Sequence, residues 1–112
     1  MDILEKLKLI KEAALDKKAD DIVILDLRHV AVFCDSFVVA SGKSSVQVKA
    51  IVANIDDSLR KHRVKSHHIE GTNESGWVLM DYGDVLVHIF LDETRKFYGI
   101  EKLWEDAVII DV

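Results

Sequence analysis

The chain has 112 residues, enough for one domain with a modest core, and we expect a single domain over residues 1–112. Its 20 acidic and 15 basic residues give a net charge of −5, which disfavours bare nucleic acid as the main partner and favours a basic protein surface. The single cysteine, Cys34, excludes an intramolecular disulfide and is typical of a reducing compartment, so we expect a cytoplasmic protein. The longest apolar runs, such as residues 30–34, are far too short for a membrane span.

Apolar residues recur at helical spacing in the opening segment, where Ile3, Leu7 and Ile10 lie between lysines and glutamates. This spacing predicts an amphipathic helix whose apolar face packs on a core. The next segment, residues 21–28, is dense in β-branched side chains and predicts a strand. The same composition predicts a second strand at residues 36–41.

A helix is predicted directly after the second strand. Ser44 and Gln47 have the Ser-x-x-Gln spacing of a capping box, which marks the start of a helix. Apolar residues then keep a helical period and form one face, which consists of Val48, Ile51, Val52, Ile55 and Leu59. Residues 63–70 are a weaker strand candidate, which ends at Gly71.

The last third of the chain contains a predicted β-hairpin. Two apolar segments, residues 77–82 and 85–91, flank the dipeptide Gly83-Asp84, a connection suited to a type II′ turn. Residues 94–104 are expected to form short helical turns, and residues 107–112 an apolar, extended tail. The predicted order is helix, two strands, helix, three strands, helix. It indicates an α/β (α+β) fold, with a mixed sheet of about five strands and flanking helices.

The predicted hairpin is apolar on both of its faces. Pairing around the turn places on one face Val78, Met80, Tyr82, Val85, Val87 and Ile89. The other face then carries Trp77, Leu79, Asp81, Leu86, His88 and Phe90. A hairpin with one face in water should alternate apolar and polar residues, and this hairpin does not.

Two explanations stay open for this composition. Either helices of the chain cover both faces of a central hairpin, or another molecule covers one face. The second face is the better candidate for a partner, because a mixture of tryptophan, phenylalanine, histidine and a carboxylate is closer to an interface than to a core. Large aromatic side chains are also the usual anchors of binding energy.

The patterns that would indicate catalysis are incomplete. The tripeptide Gly-Lys-Ser at residues 42–44 matches the end of a Walker phosphate loop, but the glycine required five residues earlier is Phe37. Asp81 and Asp84 lie on either side of the hairpin turn. A metal-dependent nucleotidyl transfer site would instead need two carboxylates at positions i and i+2 of one strand. We therefore expect no catalytic residue.

Metal-ligating patterns are equally incomplete. His67 and His68 are adjacent, so on a strand their side chains point to opposite faces and cannot share one ion. The other three histidines show no ligand spacing among themselves or with Cys34. We expect neither a metal nor a cofactor.

One part of the sequence forms a specific signature. It begins at Glu70-Gly71, includes residues 76–90 (GWVLMDYGDVLVHIF), and continues through Arg95, Phe97, Tyr98, Glu101, Leu103 and Trp104. An earlier part adds Asp26-Leu27, Asp35, residues 37–39, Ser41-Gly42, Ser44, Gln47 and Ala50. Over nearly its whole length the chain resembles the ribosomal silencing factors, the RsfS/Iojap/YbeB family. The departures are small: Ser36 replaces a common aromatic, Val46 a common arginine, and Gly99-Ile100 an acidic-leucine pair.

The resemblance implies a fold related to the nucleotidyltransferases, without their catalytic carboxylates. It also implies a partner, the large-subunit ribosomal protein numbered fourteen, on the face of the large ribosomal subunit that meets the small subunit. Binding there would block subunit association and repress translation. Organellar relatives are linked to assembly of the large subunit, and homodimers occur in the family.

Combined with the hairpin pattern, the resemblance predicts which residues face the partner. The face itself is expected to supply Trp77, Leu79, Asp81, Leu86, His88 and Phe90, and the adjoining turn Tyr82, Gly83 and Asp84. Four residues that follow are expected to complete this surface or to lock it from behind: Arg95, Tyr98, Glu101 and Trp104. Asp81, Asp84 and Glu101 are candidates to meet basic groups of the partner.

Two rival functions are retained. The first is a divergent nucleotidyltransferase that would use Asp81, Asp84 and residues 42–44. The second is a module for ribosomal RNA that would use the basic cluster at residues 60–65, although sequence-specific recognition of nucleic acid is not expected.

Overall fold

The computed structural model describes all 112 residues, which form four helices and six strands. In chain order these are α1 (Ile3–Asp16), β1 (Asp20–Asp26), β2 (Ser36–Gly42), α2 (Ser45–Lys61), β3 (His68–Glu70), β4 (Trp77–Asp81), β5 (Val85–Leu91), α3 (Asp92–Tyr98), α4 (Ile100–Leu103) and β6 (Val108–Ile110). The predicted mixed α/β fold is confirmed. No helix combines the length and the apolar character needed to cross a membrane.

The two long helices begin where their sequences predict. Asp2 caps α1 by accepting a hydrogen bond from the Glu5 amide at 2.9 Å. Ser44 caps α2 by accepting from the Gln47 amide at 3.1 Å. The reciprocal contact of the predicted capping box differs, because Gln47 Oε1 accepts from the amide of Lys43, at 2.7 Å, instead of from that of Ser44.

All six strands form one mixed sheet in the order β3-β4-β5-β2-β1-β6. Only the central pair, β2 and β5, is parallel. About five strands were expected. The sixth arises because the apolar tail pairs with β1 as β6, with Ile110 opposite Ile24. The weak candidate at residues 63–70 is a strand only over His68–Glu70, at the opposite edge of the sheet.

Helices α1 and α2 cover one face of the sheet. The main core lies between them and the strands, and it includes Leu7, Ile10, Ile51 and Ile55 from the helices. The opposite face has a smaller cover. There α4 and the segment between β1 and β2 enclose a second cluster made of Leu25, Leu27, Cys34, Phe37, Val39, Phe90 and Ile100. The two layers are therefore unequal, and the thin one leaves part of the sheet open.

Candidate partner-binding surface

Strands β4 and β5 pair in the register that the sequence predicts. Trp77 lies opposite Phe90, Leu79 opposite His88, and Asp81 opposite Leu86. Side chains of directly opposed residues share a face of the sheet. The predicted second face of the hairpin is therefore confirmed as one set of neighbouring side chains.

Each of the two explanations for the apolar hairpin holds for part of it. The first face is fully buried beneath α1 and α2. On the second face the chain buries His88 and Phe90, because the thin layer reaches them. Trp77, Leu79 and Leu86 on that face stay partly exposed. The open remainder is the candidate surface for a partner.

Ring contacts join seven side chains across this surface into one continuous row. In spatial order, the aromatic row consists of Phe97, Tyr98, Trp77, His88, Phe37, Trp104 and Phe33, and its centroid separations are 5.1, 4.9, 5.9, 4.4, 5.7 and 5.8 Å. The middle of the row is buried. Its ends are not, since Phe97 is 82% exposed, Tyr98 51% and Phe33 55%. The row thus runs from solvent, through the sheet face, to solvent again.

The centre of the row is a buried, neutral histidine. Trp77 Nε1 donates a hydrogen bond to His88 Nδ1 at 3.2 Å. His88 Nε2 is buried and has no hydrogen-bond partner. Burial lowers the pKa of His88 to about 4, because the charged imidazolium would be cut off from water. His88 therefore behaves as a polar aromatic ring at neutral pH.

Sequence reasoning missed three members of the row: Phe37, Phe97 and Phe33. Phe33 supplies the second exposed end of the row. It lies between β1 and β2, in the apolar run at residues 30–34, and the neighbouring Val32 is fully exposed. This segment and Trp104 line an open groove of about 440 Å³. The available signal was an apolar run with neither helical nor strand period, because such a run in a loop has no local reason to be apolar.

The turn of the hairpin is organised by Asp81. Its Oδ1 accepts from the amide of Gly83 at 2.8 Å, and Gly83 has a φ of 86°. Only glycine adopts that conformation without strain. The connection differs from the predicted type II′ turn, because the amide that donates to the Tyr82 carbonyl is that of Asp84, at 3.2 Å, and not that of Val85. Asp81 Oδ2 also lies 3.6 Å from His68 Nδ1 of the edge strand.

Two predicted residues engage the helix layer instead of the open surface. Tyr82 is buried, and its hydroxyl donates to Asp56 Oδ1 on α2 at 3.0 Å. Asp84 Oδ1 accepts from Lys6 Nζ on α1 at 2.7 Å. Both contacts tie the turn to the helices, so the structure does not bring these two side chains to the aromatic row.

Arg95 and Glu101 also form contacts within the chain. Arg95 is buried, and its Nε donates to Glu101 Oε1 at 2.8 Å. Its Nη2 donates to the carbonyl of Asp21 at 2.7 Å, and its Nη1 to Ser41 Oγ at 3.1 Å. Asp21 has a φ of 47° and lies at an irregularity in the pairing of β1 with β2. Arg95 therefore holds α3 and α4 against the end of the sheet, behind the open surface.

Residues 42–44, which resemble the end of a phosphate loop, form contacts within the chain. Lys43 Nζ forms an ion pair with Asp20 Oδ2 at 2.6 Å. This carboxylate raises the pKa of Lys43 by stabilising its charged form. No three His, Cys, Asp or Glu side chains are grouped so that they could hold a metal ion.

Comparison with known proteins gives a consistent result. The family described as "Ribosomal silencing factor during starvation" matches residues 1–112. A ribosomal silencing factor from Bacillus subtilis is 40% identical over 106 residues, which are 95% of this chain and 90% of that protein. A mouse protein named "Mitochondrial assembly of ribosomal large subunit protein 1" is 31% identical, over 79% of this chain and 40% of its own length.

The fold has a matching crystal structure. A protein from Chromobacterium violaceum is 39% identical and superposes with a TM-score of 0.90, over 94% of this chain and 88% of its own. Sequence identity and fold agree over almost the full length of this chain. The chain therefore belongs to the ribosomal silencing factor family.

Proposed function

We propose that this protein represses translation by binding the large ribosomal subunit and keeping the small subunit from joining it. The aromatic row carries the proposal. Its buried centre is held rigidly by ring contacts, and its exposed ends offer large apolar area to a partner. Each such ring contributes a gross stabilisation of about 2 kcal/mol when it is removed from water. This arrangement supports a binding role.

The charge of the chain supports a protein as the direct partner. The net charge is −5, and the exposed residues Asp35, Glu105 and Asp106 adjoin the loop and helix that carry Phe33 and Trp104. A basic ribosomal protein complements such a surface and is steered toward it. Resemblance to the family makes the large-subunit ribosomal protein numbered fourteen the specific candidate.

A second candidate function is assembly of the large subunit. It is favoured by the name of the mouse relative, which refers to assembly of that subunit. The same surface would serve both functions, because each begins with docking on the large subunit. Only the outcome of docking differs: in silencing the finished subunit is blocked, whereas in assembly an unfinished one is completed.

Substitution of Leu79 by glutamate tests the surface. Leu79 is partly exposed on the face beside His88, so a charge there enters the interface while the fold keeps its core. The matched control is Val46→Glu on α2, where the side chain is 76% exposed and outside the aromatic row. Light scattering then measures how fast purified small and large subunits join. We expect the native protein and the control to slow joining, and Leu79→Glu to leave it at the rate without protein.

Photocrosslinking identifies the partner. A benzophenone amino acid in place of Phe97, at the exposed end of the row, should yield an adduct with ribosomal protein fourteen on isolated large subunits. An adduct with another protein, or with a second copy of this chain, contradicts the proposed partner. Binding to large subunits with undiminished joining contradicts silencing and supports the assembly function.

A further inference from the structure

One segment of this acidic protein carries basic residues without any carboxylate. Residues 60–68, here called the basic segment, contain four of the 15 lysines and arginines and three of the five histidines, and no carboxylate. Eleven cations therefore face twenty carboxylates in the rest of the chain. Such a local reversal of sign creates a field of its own, opposite to that of the remaining surface.

The fold arranges the middle of the basic segment as an exposed row. Between α2 and β3 the burial alternates: Arg63, Lys65 and His67 are exposed, whereas Val64 and Ser66 are half-buried. Val64 packs against the main core, and its amide donates to the Leu59 carbonyl at 2.9 Å. Arg63 has a φ of 62°, so the chain turns there as α2 ends, and it then runs toward β3. Along this connection Arg63, Lys65 and His67 all face solvent. The row is thus positioned by the fold.

Few carboxylates neutralise this row. Arg60 pairs through Nε with Asp56, at 2.9 Å, and its two Nη groups form no hydrogen bond. Lys61 lines a shallow groove that also contains Glu12, Asp16 and Asp57, so carboxylates lie near its charge although none is within ion-pairing distance. Arg63 and Lys65 have no carboxylate within ion-pairing distance. Two full charges, and the free side of Arg60, are therefore available to a partner.

The basic segment adjoins the surface proposed to bind the ribosome. His68 lies opposite Asp81, and Glu70 opposite Leu79, so β3 extends the open face of the hairpin by one strand. The amide of His67 donates to the Asp81 carbonyl at 2.7 Å. A partner seated on the aromatic row would thus have the basic segment at its margin.

We propose that the basic segment contacts the phosphate backbone of ribosomal RNA beside the protein site, without reading its sequence. This inference rests on the proposed function. A basic ribosomal protein would repel Arg63 and Lys65, whereas the RNA around it presents a dense row of negative charges. A membrane surface fits less well, because the segment places no large exposed apolar side chain among its cations. The acidic surface would then contact ribosomal protein, and the basic segment would contact ribosomal RNA.

The test is the salt dependence of binding to purified large subunits. The double substitution Arg63→Gln and Lys65→Gln removes two phosphate contacts. The matched control, Lys8→Gln and Lys17→Gln, removes two exposed lysines in or next to α1 that form no ion pair. Each phosphate contact contributes about 0.7–0.9 to the slope of log K against log salt. We expect the slope of the first variant to be shallower by about 1.5 and its affinity near 0.1 M salt to fall about thirtyfold, with the control unchanged.

Several results would overturn the proposal. If the double variant has the same salt slope as the native protein, the proposal is wrong. It is also wrong if the control loses as much affinity as the double variant, because binding would then depend only on the overall charge of the protein. A diazirine amino acid at position 65 should crosslink to RNA, and an adduct with protein argues against a phosphate contact. Loss of binding to phosphatidylserine vesicles, with subunit binding intact, would point to a membrane. If Leu79→Glu abolishes binding while the basic variant does not change the slope, only this inference fails.

Discussion

Trp77 Nε1 donates to His88 Nδ1 at 3.2 Å, and this single contact decides where the imidazole proton lies. An indole N–H can only donate, so Nδ1 is the acceptor and the proton resides on Nε2. His88 Nε2 is then a buried donor without an acceptor, and the imidazole packs against the ring of Phe37 with 4.4 Å between the ring centroids. The candidate surface is thus built around a histidine that the fold keeps uncharged.

The stability of the protein should fall on acidification through His88. In the unfolded chain His88 becomes protonated below about pH 6.5, whereas in the folded chain it becomes protonated only near pH 4, because burial lowers its pKa. The stabilisation present above pH 6.5 is therefore lost as the pH falls through this window, by about 3 kcal/mol in total. Urea unfolding near pH 7 and near pH 5 measures the loss. In His88→Gln the difference in the free energy of unfolding between pH 7 and pH 5 should be smaller by about 2 kcal/mol. An unchanged difference would contradict the lowered pKa of His88.

The stability of the protein should depend on the planar guanidinium of Arg95 and not only on its positive charge. Its guanidinium reaches Glu101, Ser41 and the carbonyl of Asp21 at once, which the ammonium of a lysine cannot do. We expect Arg95→Lys to lower the free energy of unfolding by about 2–3 kcal/mol, because buried acceptors lose their donors. The neighbouring exposed Lys96→Gln should change it by less than about 0.5 kcal/mol. Equal effects in chemical denaturation would contradict the role given to Arg95.

The ion pair between Lys6 and Asp84 should couple α1 to the hairpin turn. The two charged atoms are 2.7 Å apart, and Lys6 is nearly buried. A double-mutant cycle with Lys6→Met and Asp84→Asn should give a coupling of about 1–2 kcal/mol, because either single change leaves the other group without its partner. Additive effects would show that the two residues act independently. Because Asp84 has this structural contact, a loss of ribosome binding in an Asp84 variant must be compared with its loss of stability.

The exposed ends of the aromatic row should contribute to binding and little to folding. Phe97 and Tyr98 are mostly outside the core, so the double change to alanine should lower the melting temperature by only a few degrees. Affinity for large subunits should fall at least tenfold, since two exposed anchors are removed. Leu4→Ala with Val46→Ala, which truncates exposed apolar side chains of α1 and α2, is the matched control in co-sedimentation. Equal affinities of the two variants would place the interface elsewhere.

Local patterns in the sequence were sufficient for most of the fold. The 3.6-residue period predicted α1 and α2, and the position of the Gly83-Asp84 turn predicted the register from Trp77–Phe90 to Asp81–Leu86. These features depend on neighbours along the chain or across one tight turn, so a single sequence encodes them fully. The family resemblance was likewise carried by residues close together in sequence, and the comparisons confirmed it.

Other features depended on contacts between distant segments. Asp84 finds Lys6 from the other end of the chain, and the tail becomes a strand only because β1 offers it an edge. Sequence reasoning had no means to distinguish Tyr82, which bonds to α2, from its neighbours in the motif. It also left Phe33 out of the site, since nothing local connects residue 33 with Trp104.

The sequence by itself thus determined which side chains of the hairpin share a face, because alternation along a strand is a local property. Tertiary structure decided how much of each face is covered, because that depends on where α1, α2 and α4 pack. The thick layer buries the first face completely. The thin layer closes over His88 and Phe90 and leaves the rest of the second face open, and only this unequal packing turns an apolar hairpin into a surface for a partner.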